Sequence, residues 1–282
     1  MALISDKPVS QLLSEHAADI VALKDVAKSI VESVDLEPYN QDVYYLRFCL
    51  RTKKLPEQLE LLRDNLKWRM NEGKAICDAA HDAVNEATAE GRWNNEPVLK
   101  RAPCGDKISK YLTSEICLTS TTSEGDLVYC LRSGRIDDVA MMNEVTVQEM
   151  TDFLVYAKEI NARICNRRSL VQDRVVATVF ANDLSGAKLM GGSKEFRQAL
   201  GASGKIAEHN YPRMAGPTLL LNMPKTLHYL VKLFAPLMPA SVAKKIRFVR
   251  GIFDDNTILA EIQPGGSQRE KFLQDLDKYI YK

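Results

Sequence analysis

The segment Gly201-Ala-Ser-Gly-Lys205 comes nearest to a phosphate-binding loop. In such a loop backbone amides cradle a phosphate, a lysine reaches its outer oxygens and a Ser or Thr hydroxyl holds magnesium. Here Ala199 stands where the first glycine belongs and Ile206 where the hydroxyl belongs, so the spacing predicts a flexible helical segment instead. His209 follows Glu208, yet the H-E-x-x-H spacing that puts two imidazoles on one helix face is absent, and no G-x-S-x-G elbow occurs. Asp137 and Asp138 form a carboxylate pair close to Gly134, a context that predicts a solvated turn. Cys49, Cys77, Cys104, Cys117, Cys130 and Cys165 are scattered without a C-x-x-C pair, which predicts reduced thiols with no metal and no cofactor. The expected class is therefore not an enzyme.

Lys and Arg total 38 against 37 Asp and Glu, so the chain lacks the positive excess through which nucleic-acid binders release counterions, and no nucleic-acid partner is expected. Residues 1–7 interpose a charge before any apolar run, unlike a secretory signal, and no stretch reaches the ~20 apolar residues of a spanning helix. Cytoplasmic residence is the expectation, with any membrane contact peripheral and transient.

Along the chain, Leu12, Leu13, Ile20, Leu23, Val26, Ile30 and Val31 recur at helical spacing behind Ser10, which predicts one amphipathic helix from Ser10 to Val34. Further helices are predicted over 42–51 and from Leu55, where Pro56 suits a first turn. Asn94 to Pro97 is the expected boundary between this helical part and the rest. Beyond it Glu115–Thr119 and Leu127–Leu131 read as paired strands. A helix from Thr146 to Arg168 comes next, with Met150, Phe153, Leu154, Ala157, Ile160 and Ile164 on one face. The run Arg174–Phe180 reads as a buried strand. A helix over 194–209, strands over 218–221 and 246–249, and an intervening helix from Pro224 complete an alternation that predicts an α/β fold with a mainly parallel or mixed sheet.

The Pro224 helix carries Leu227, Leu230, Val231 and Phe234 on one side and is bounded by Pro224 and the Pro236/Pro239 pair. Such a rigid element with hinges at both ends suits a movable flap over an apolar cavity.

Several separated segments share an order with one family. Leu46-Arg-Phe-Cys-Leu-Arg-Thr-Lys-Lys-Leu55 is similar to L-R-F-L-R-A-R-K-F, Leu66-Lys-Trp-Arg69 to its later K-W-R, and Asp183-Leu-Ser-Gly186 to its strand-ending D-L-x-G. Asn210-Tyr-Pro212, Leu219-Leu-Leu-Asn-Met-Pro224, Pro236 and Lys244-Lys-Ile246 come after these at matching spacing. The chain thus resembles the CRAL-TRIO family, its phosphatidylinositol/phosphatidylcholine transfer proteins in particular. The resemblance implies an N-terminal helical lobe, residues 1–92, on a lipid-binding lobe, residues 93–282. The sheet would floor a hydrophobic pocket gated by the Pro224 helix, with Leu227, Leu230, Val231 and Phe234 as gate and acyl-pocket residues.

By the same resemblance Lys53, Arg213 and Lys245 fall at headgroup positions, and Tyr129 and Thr178 match positions used toward phosphocholine. Arg213 replaces a glutamate of the phosphoinositide-binding members, Val242 a threonine and Phe180 a hydroxyl residue. The C-terminal L-P-x-x-F-G-G signature is missing, and residues 268–282 are expected to form a helix. The implied function is to bind one phospholipid, such as phosphatidylinositol or phosphatidylcholine, and exchange it with membranes. The alternative is an adaptor of the same fold that binds a protein partner or a non-phospholipid hydrophobic ligand without transfer.

Overall fold

The computed structural model describes residues 7–89, 93–113, 115–187, 192–225, 245–252, 258–262 and 265–280. Seven helices come first: α1 (Val9–Glu15), α2 (Ala17–Lys28), α3 (Asp42–Cys49), α4 (Leu55–Met70), α5 (Lys74–Thr88), α6 (Glu96–Arg101) and the single turn α7 (Gly105–Ile108). The expected first helix is thus two helices, broken at His16, and Ser10 lies inside α1 rather than capping it. Its backbone N–H and hydroxyl both donate to the Asp173 carboxylate, at 2.6 and 2.8 Å. That distant tether fixes the direction of α1, while α2 turns so that Ile20, Leu23 and Ala27 bury against α3 and α4. Helix α3 is buried from Val43 through Cys49, Arg47 included.

The break between α5 and α6 falls at the polar Asn94-Asn95, with Pro97 in the first turn of α6. Helix α5 does not stand apart from the later elements of the chain. Its Ile76, Ala80, Ala83 and Val84 pack against Val155, Tyr156 and Ile160 of the long helix α9 (Val147–Val171).

The sheet has the order β1-β2-β3-β4-β5: β1 (Cys117–Thr121), β2 (Leu127–Leu131), β3 (Thr178–Asp183), β4 (Ala215–Leu221) and β5 (Ile246–Val249). β1 and β2 form an antiparallel hairpin, pairing Cys117 with Leu131 and Thr121 with Leu127, and every later pairing is parallel. The sheet is therefore mixed and mainly parallel, as the alternation implied. Helix α8 (Asp138–Glu144) precedes α9, α10 (Lys194–Asn210) crosses between β3 and β4, and α11 (Arg269–Ile280) closes the chain.

Two expectations shift. β1 starts at Cys117 rather than Glu115, and β3 starts at Thr178 rather than Arg174. Val175, Val176 and Ala177 are buried as predicted, but side chains take both backbone groups of Val176 and the N–H of Ala177, whose carbonyl accepts from Leu127 N–H of β2 at 3.0 Å. Val176 N–H donates to Ser169 Oγ at 2.9 Å, its carbonyl accepts from Arg47 Nη2 at 2.9 Å, and Ala177 N–H donates to Asp126 Oδ1 at 2.9 Å.

Side-chain alternation gives the sheet two unlike faces. Val128, Cys130, Val179, Ala181, Leu219, Leu221 and Val249 pack under Phe272, Leu276 and Ile280 of α11 and under Leu259 and Ile262. The opposite face turns toward α9 and α10.

Candidate functional site

On that second face a cavity of about 440 Å³ lies between the sheet and the two helices. Thr178, Phe180, Gly216, Thr218 and Ile246 form its floor, Lys158, Asn161 and Ala162 of α9 and Gly204, Ala207 and Glu208 of α10 form its walls, and residues 211–215 close one end with Arg51 and Lys245. Small residues at facing positions create the space. A side chain at Gly216 would come within 3.2 Å of the Thr178 carbonyl. A second cavity of about 290 Å³ opens on the same face, between Tyr129 and Thr119 of the hairpin and Phe153, Tyr156, Ile160 and Ile164. Asn161 lines both, and the Tyr129 and Phe180 rings meet edge to face at 6.2 Å.

The first cavity is mainly apolar, and among the described residues its walls carry four cations and one carboxylate. Arg51 Nη2 lies 3.8 Å from Glu208 Oε1, and both side chains are exposed. Lys245 Nζ donates to the Ala215 carbonyl at 3.0 Å. Burial lowers the Lys245 pKa, and the Arg213 and Arg51 charges lower it further against the pull of Glu208. Arg213 occupies the left-handed region, φ 58°, and its carbonyl accepts from Arg47 Nη1 at 3.0 Å. Lys158 Nζ donates to Ser203 Oγ at 3.1 Å and to the Leu154 carbonyl at 3.4 Å, and burial lowers its pKa to about 8. Positive charges crowded without matching carboxylates are an arrangement that an anion relieves.

Thr178, Arg213 and Lys245 are brought together in this cavity, with the Thr178 hydroxyl 3.5 Å from Cys165 Sγ. Tyr129 lines the second cavity instead, where burial raises its phenol pKa well above the ordinary value. Lys53 is exposed in the turn between α3 and α4, outside both linings, and Arg51, two residues earlier, is the cation of that segment that reaches the first cavity. Leu227, Leu230, Val231, Phe234 and Val242 lie outside the described residues. Sequence reasoning missed Arg51, Lys158 and Asn161. Lys158 did leave a signal, because it sits four residues after Leu154 and four before Ala162 on a face of α9 that is otherwise mainly apolar.

The motifs that first suggested chemistry have structural roles. Gly201 to Lys205 is helical within α10 rather than a loop. Asp137 caps α8 by accepting from Ala140 N–H at 3.0 Å, and Asp138 accepts from Ser193 N–H at 2.9 Å. Among the described residues His16, Asp19 and Cys49 form a cluster with metal-ligand geometry, their ligand atoms within 4.8 Å. Burial pushes the Cys49 thiol up to about 12, so at neutral pH it is protonated and a poor ligand.

Residues 113–266 match the model of the CRAL/TRIO domain. The chain belongs to this family. The CRAL/TRIO segment holds all five strands and helices α8 to α10. It supplies Thr178, Lys158, Arg213 and Lys245 to the cavity, whereas Arg51 comes from the helices before it. Among solved structures, one titled "Crystal structure of Sfh5" matches with a TM-score of 0.52 at 13% identity, covering 85% of this chain and 79% of that one, a likeness of fold. No curated protein matches the chain. Membership in the CRAL/TRIO family makes this a lipid-binding protein, and among the described residues no helix is long and apolar enough to cross a membrane.

Proposed function

We propose that the chain carries one phospholipid, with its acyl chains in the cavity on the α9 and α10 face of the sheet and its phosphate at the end formed by Arg213, Lys245 and Arg51. The observation that supports this reading is the charge distribution: three cations converge at one end of an apolar cavity, and among the described residues Glu208 is the one carboxylate that lines it. Each methylene moved out of water gains about 0.8 kcal/mol, so the tails supply affinity while the cations choose the phosphate. In this reading the segment from Pro224, with Leu227, Leu230, Val231 and Phe234, is the gate. Contact with membranes is transient and the working compartment is the cytoplasm.

Exchange between vesicles tests the proposal. Phospholipid should be found in a solvent extract of the gently purified protein, and the protein should move pyrene-labelled phospholipid between vesicles. Lys245→Ala should slow that movement about tenfold or more, since a charge-assisted contact contributes roughly 1.5–3 kcal/mol. Its melting temperature should hold, because Lys245 is only partly buried and among the described residues its amine donates to the Ala215 carbonyl alone. Absence of extracted lipid together with transfer no faster than the protein-free blank would overturn the reading.

A further inference from the structure

Lys158 has no part in the phosphate site at the mouth. It belongs to α9, and its amine meets α10 at Ser203, whereas the mouth cations are tied to Glu208 on α10 and to the start of β4. Ser203 and Glu208 are five residues apart on one helix, so at 1.5 Å per residue Lys158 is held about 7.5 Å further along the cavity wall than the mouth. Its partners are a hydroxyl and a carbonyl, and among the described residues no carboxylate pairs with it. An ammonium in an apolar wall without a counter-charge is a costly arrangement, and a protein without use for it would carry a leucine or methionine at that position. Asn161, one turn on, adds an amide at the junction of the two cavities.

We infer that Lys158, held in place by Ser203, is the cation of an interior anion-binding site that selects an amphiphile carrying a carboxylate or phosphate oxygen inside the cavity, apart from any group held at the mouth. The inference rests on the lipid-carrier reading and narrows its ligand class to amphiphiles that are anionic within the cavity. Among the described residues, the titratable groups lining this space with Lys158 are Glu208 from α10, Arg51 from the end of α3, Tyr211 and Arg213 from the segment before β4, and Lys245 before β5. Burial alone accounts for the lowered pKa of Lys158. Its charge, and with it the preference for an anion, is present below about pH 8 and fades above it.

Two matched ligand pairs test this. Fluorescent cis-parinaric acid is compared with its methyl ester, which removes a carboxylate charge, and pyrene-labelled phosphatidate with pyrene-labelled diacylglycerol, which removes a phosphate. The protein should favour at least one charged member about tenfold or more at pH 7, the value of one charge-assisted contact. That ratio should shrink between pH 7.5 and 9.5. Lys158→Met should bring it near one and abolish its pH dependence, while Lys158→Arg should retain the preference and move its loss to higher pH. The pair that responds names the source of the oxyanion. A ratio unchanged in Lys158→Met, or one lost in Arg213→Met/Lys245→Met and kept in Lys158→Met, overturns the inference and leaves the carrier reading standing. Failure of the unaltered protein to bind any of the four probes overturns both.

Discussion

Arg47 is the residue whose removal should matter most among those that touch no ligand. Its side chain is 1% exposed, and its hydrogen-bond partners among the described residues are amide, carbonyl and hydroxyl oxygens rather than carboxylates. Nε donates to Asn166 Oδ1 at 2.7 Å, Nη1 to the Arg213 carbonyl at 3.0 Å, and Nη2 to the Val176 carbonyl at 2.9 Å and to Ser169 Oγ at 3.3 Å. One guanidinium thus joins α3, α9, the entry to β3 and the backbone of a cavity cation. Arg47→Met leaves three buried acceptors without a donor, at about 1–3 kcal/mol each, or roughly 3–9 kcal/mol in all. Against this stands the cost of burying the charge. Burial lowers the Arg47 pKa to about 10, which corresponds to roughly 3 kcal/mol relieved on removing it. The acceptors win, and the expected net loss is about 3 kcal/mol, a large share of the ~5–15 kcal/mol of a typical domain. Urea unfolding followed by fluorescence measures it. Asn166→Ala removes one of the orphaned acceptors in advance, so the double variant should lose less than the sum of the two single losses. A cost for Arg47→Met below about 1 kcal/mol, or strict additivity with Asn166→Ala, would refute the reasoning.

Two other outcomes are expected, one from the geometry and one from the family resemblance. Glu159, fully buried, accepts from Arg69 Nη2 at 2.5 Å and from Arg163 Nε at 2.8 Å. Burial acts to raise its pKa, but the two guanidinium charges prevail and hold it below the usual carboxylate range. Its contribution is then present above the unfolded value of about 4.3 and is lost as pH falls through the lower folded value. Glu159→Gln should cost about 3–5 kcal/mol at pH 7 and flatten the loss of stability below about pH 4, as read from urea midpoints across pH. For headgroup choice, Arg213→Glu with Val242→Thr should raise phosphatidylinositol binding relative to phosphatidylcholine severalfold in mixed-vesicle capture. An unchanged ratio would place that choice elsewhere in the cavity.

Local periodicity made the scaffold legible. The hairpin, α9, β4 and β5 are read from the alternation of Leu127 to Leu131, the stripe from Met150 to Ile164 and the apolar runs near 218 and 246. The start of β3 was not, because the Val176 backbone and the Ala177 N–H are taken by side chains of Asp126, Ser169 and Arg47, which a pattern of period two does not reveal. The site was legible in kind more than in detail. Thr178, Arg213 and Lys245 meet in one cavity, but spacing alone does not say which cation of Arg51-Thr-Lys-Lys54 turns inward. Lys158 was passed over because a lysine beside an apolar stripe usually reaches out to water along its stem. Here α10 packs over it, and its amine ends against Ser203.

The two faces of the sheet show why this scaffold calls for a ligand. Under α11 the strands present Val, Leu and Cys and are filled by Phe272, Leu276 and Ile280. Toward α10 they present Thr178, Gly216 and Thr218 to Gly204 and Ala207, side chains too small to meet across the gap. A cavity of about 440 Å³ with apolar walls leaves that surface to water unless a ligand covers it. Water can occupy the cationic end, where Arg51, Arg213 and Lys245 offer donors, but gains little beside Ala162, Phe180 and Ile246. An amphiphile answers both demands at once, putting apolar chain where the walls offer no hydrogen bond and negative charge where Arg51, Arg213 and Lys245 outnumber Glu208 among the described residues. Bound ligand should accordingly count as part of the folded state, adding stability that grows with its concentration above the dissociation constant.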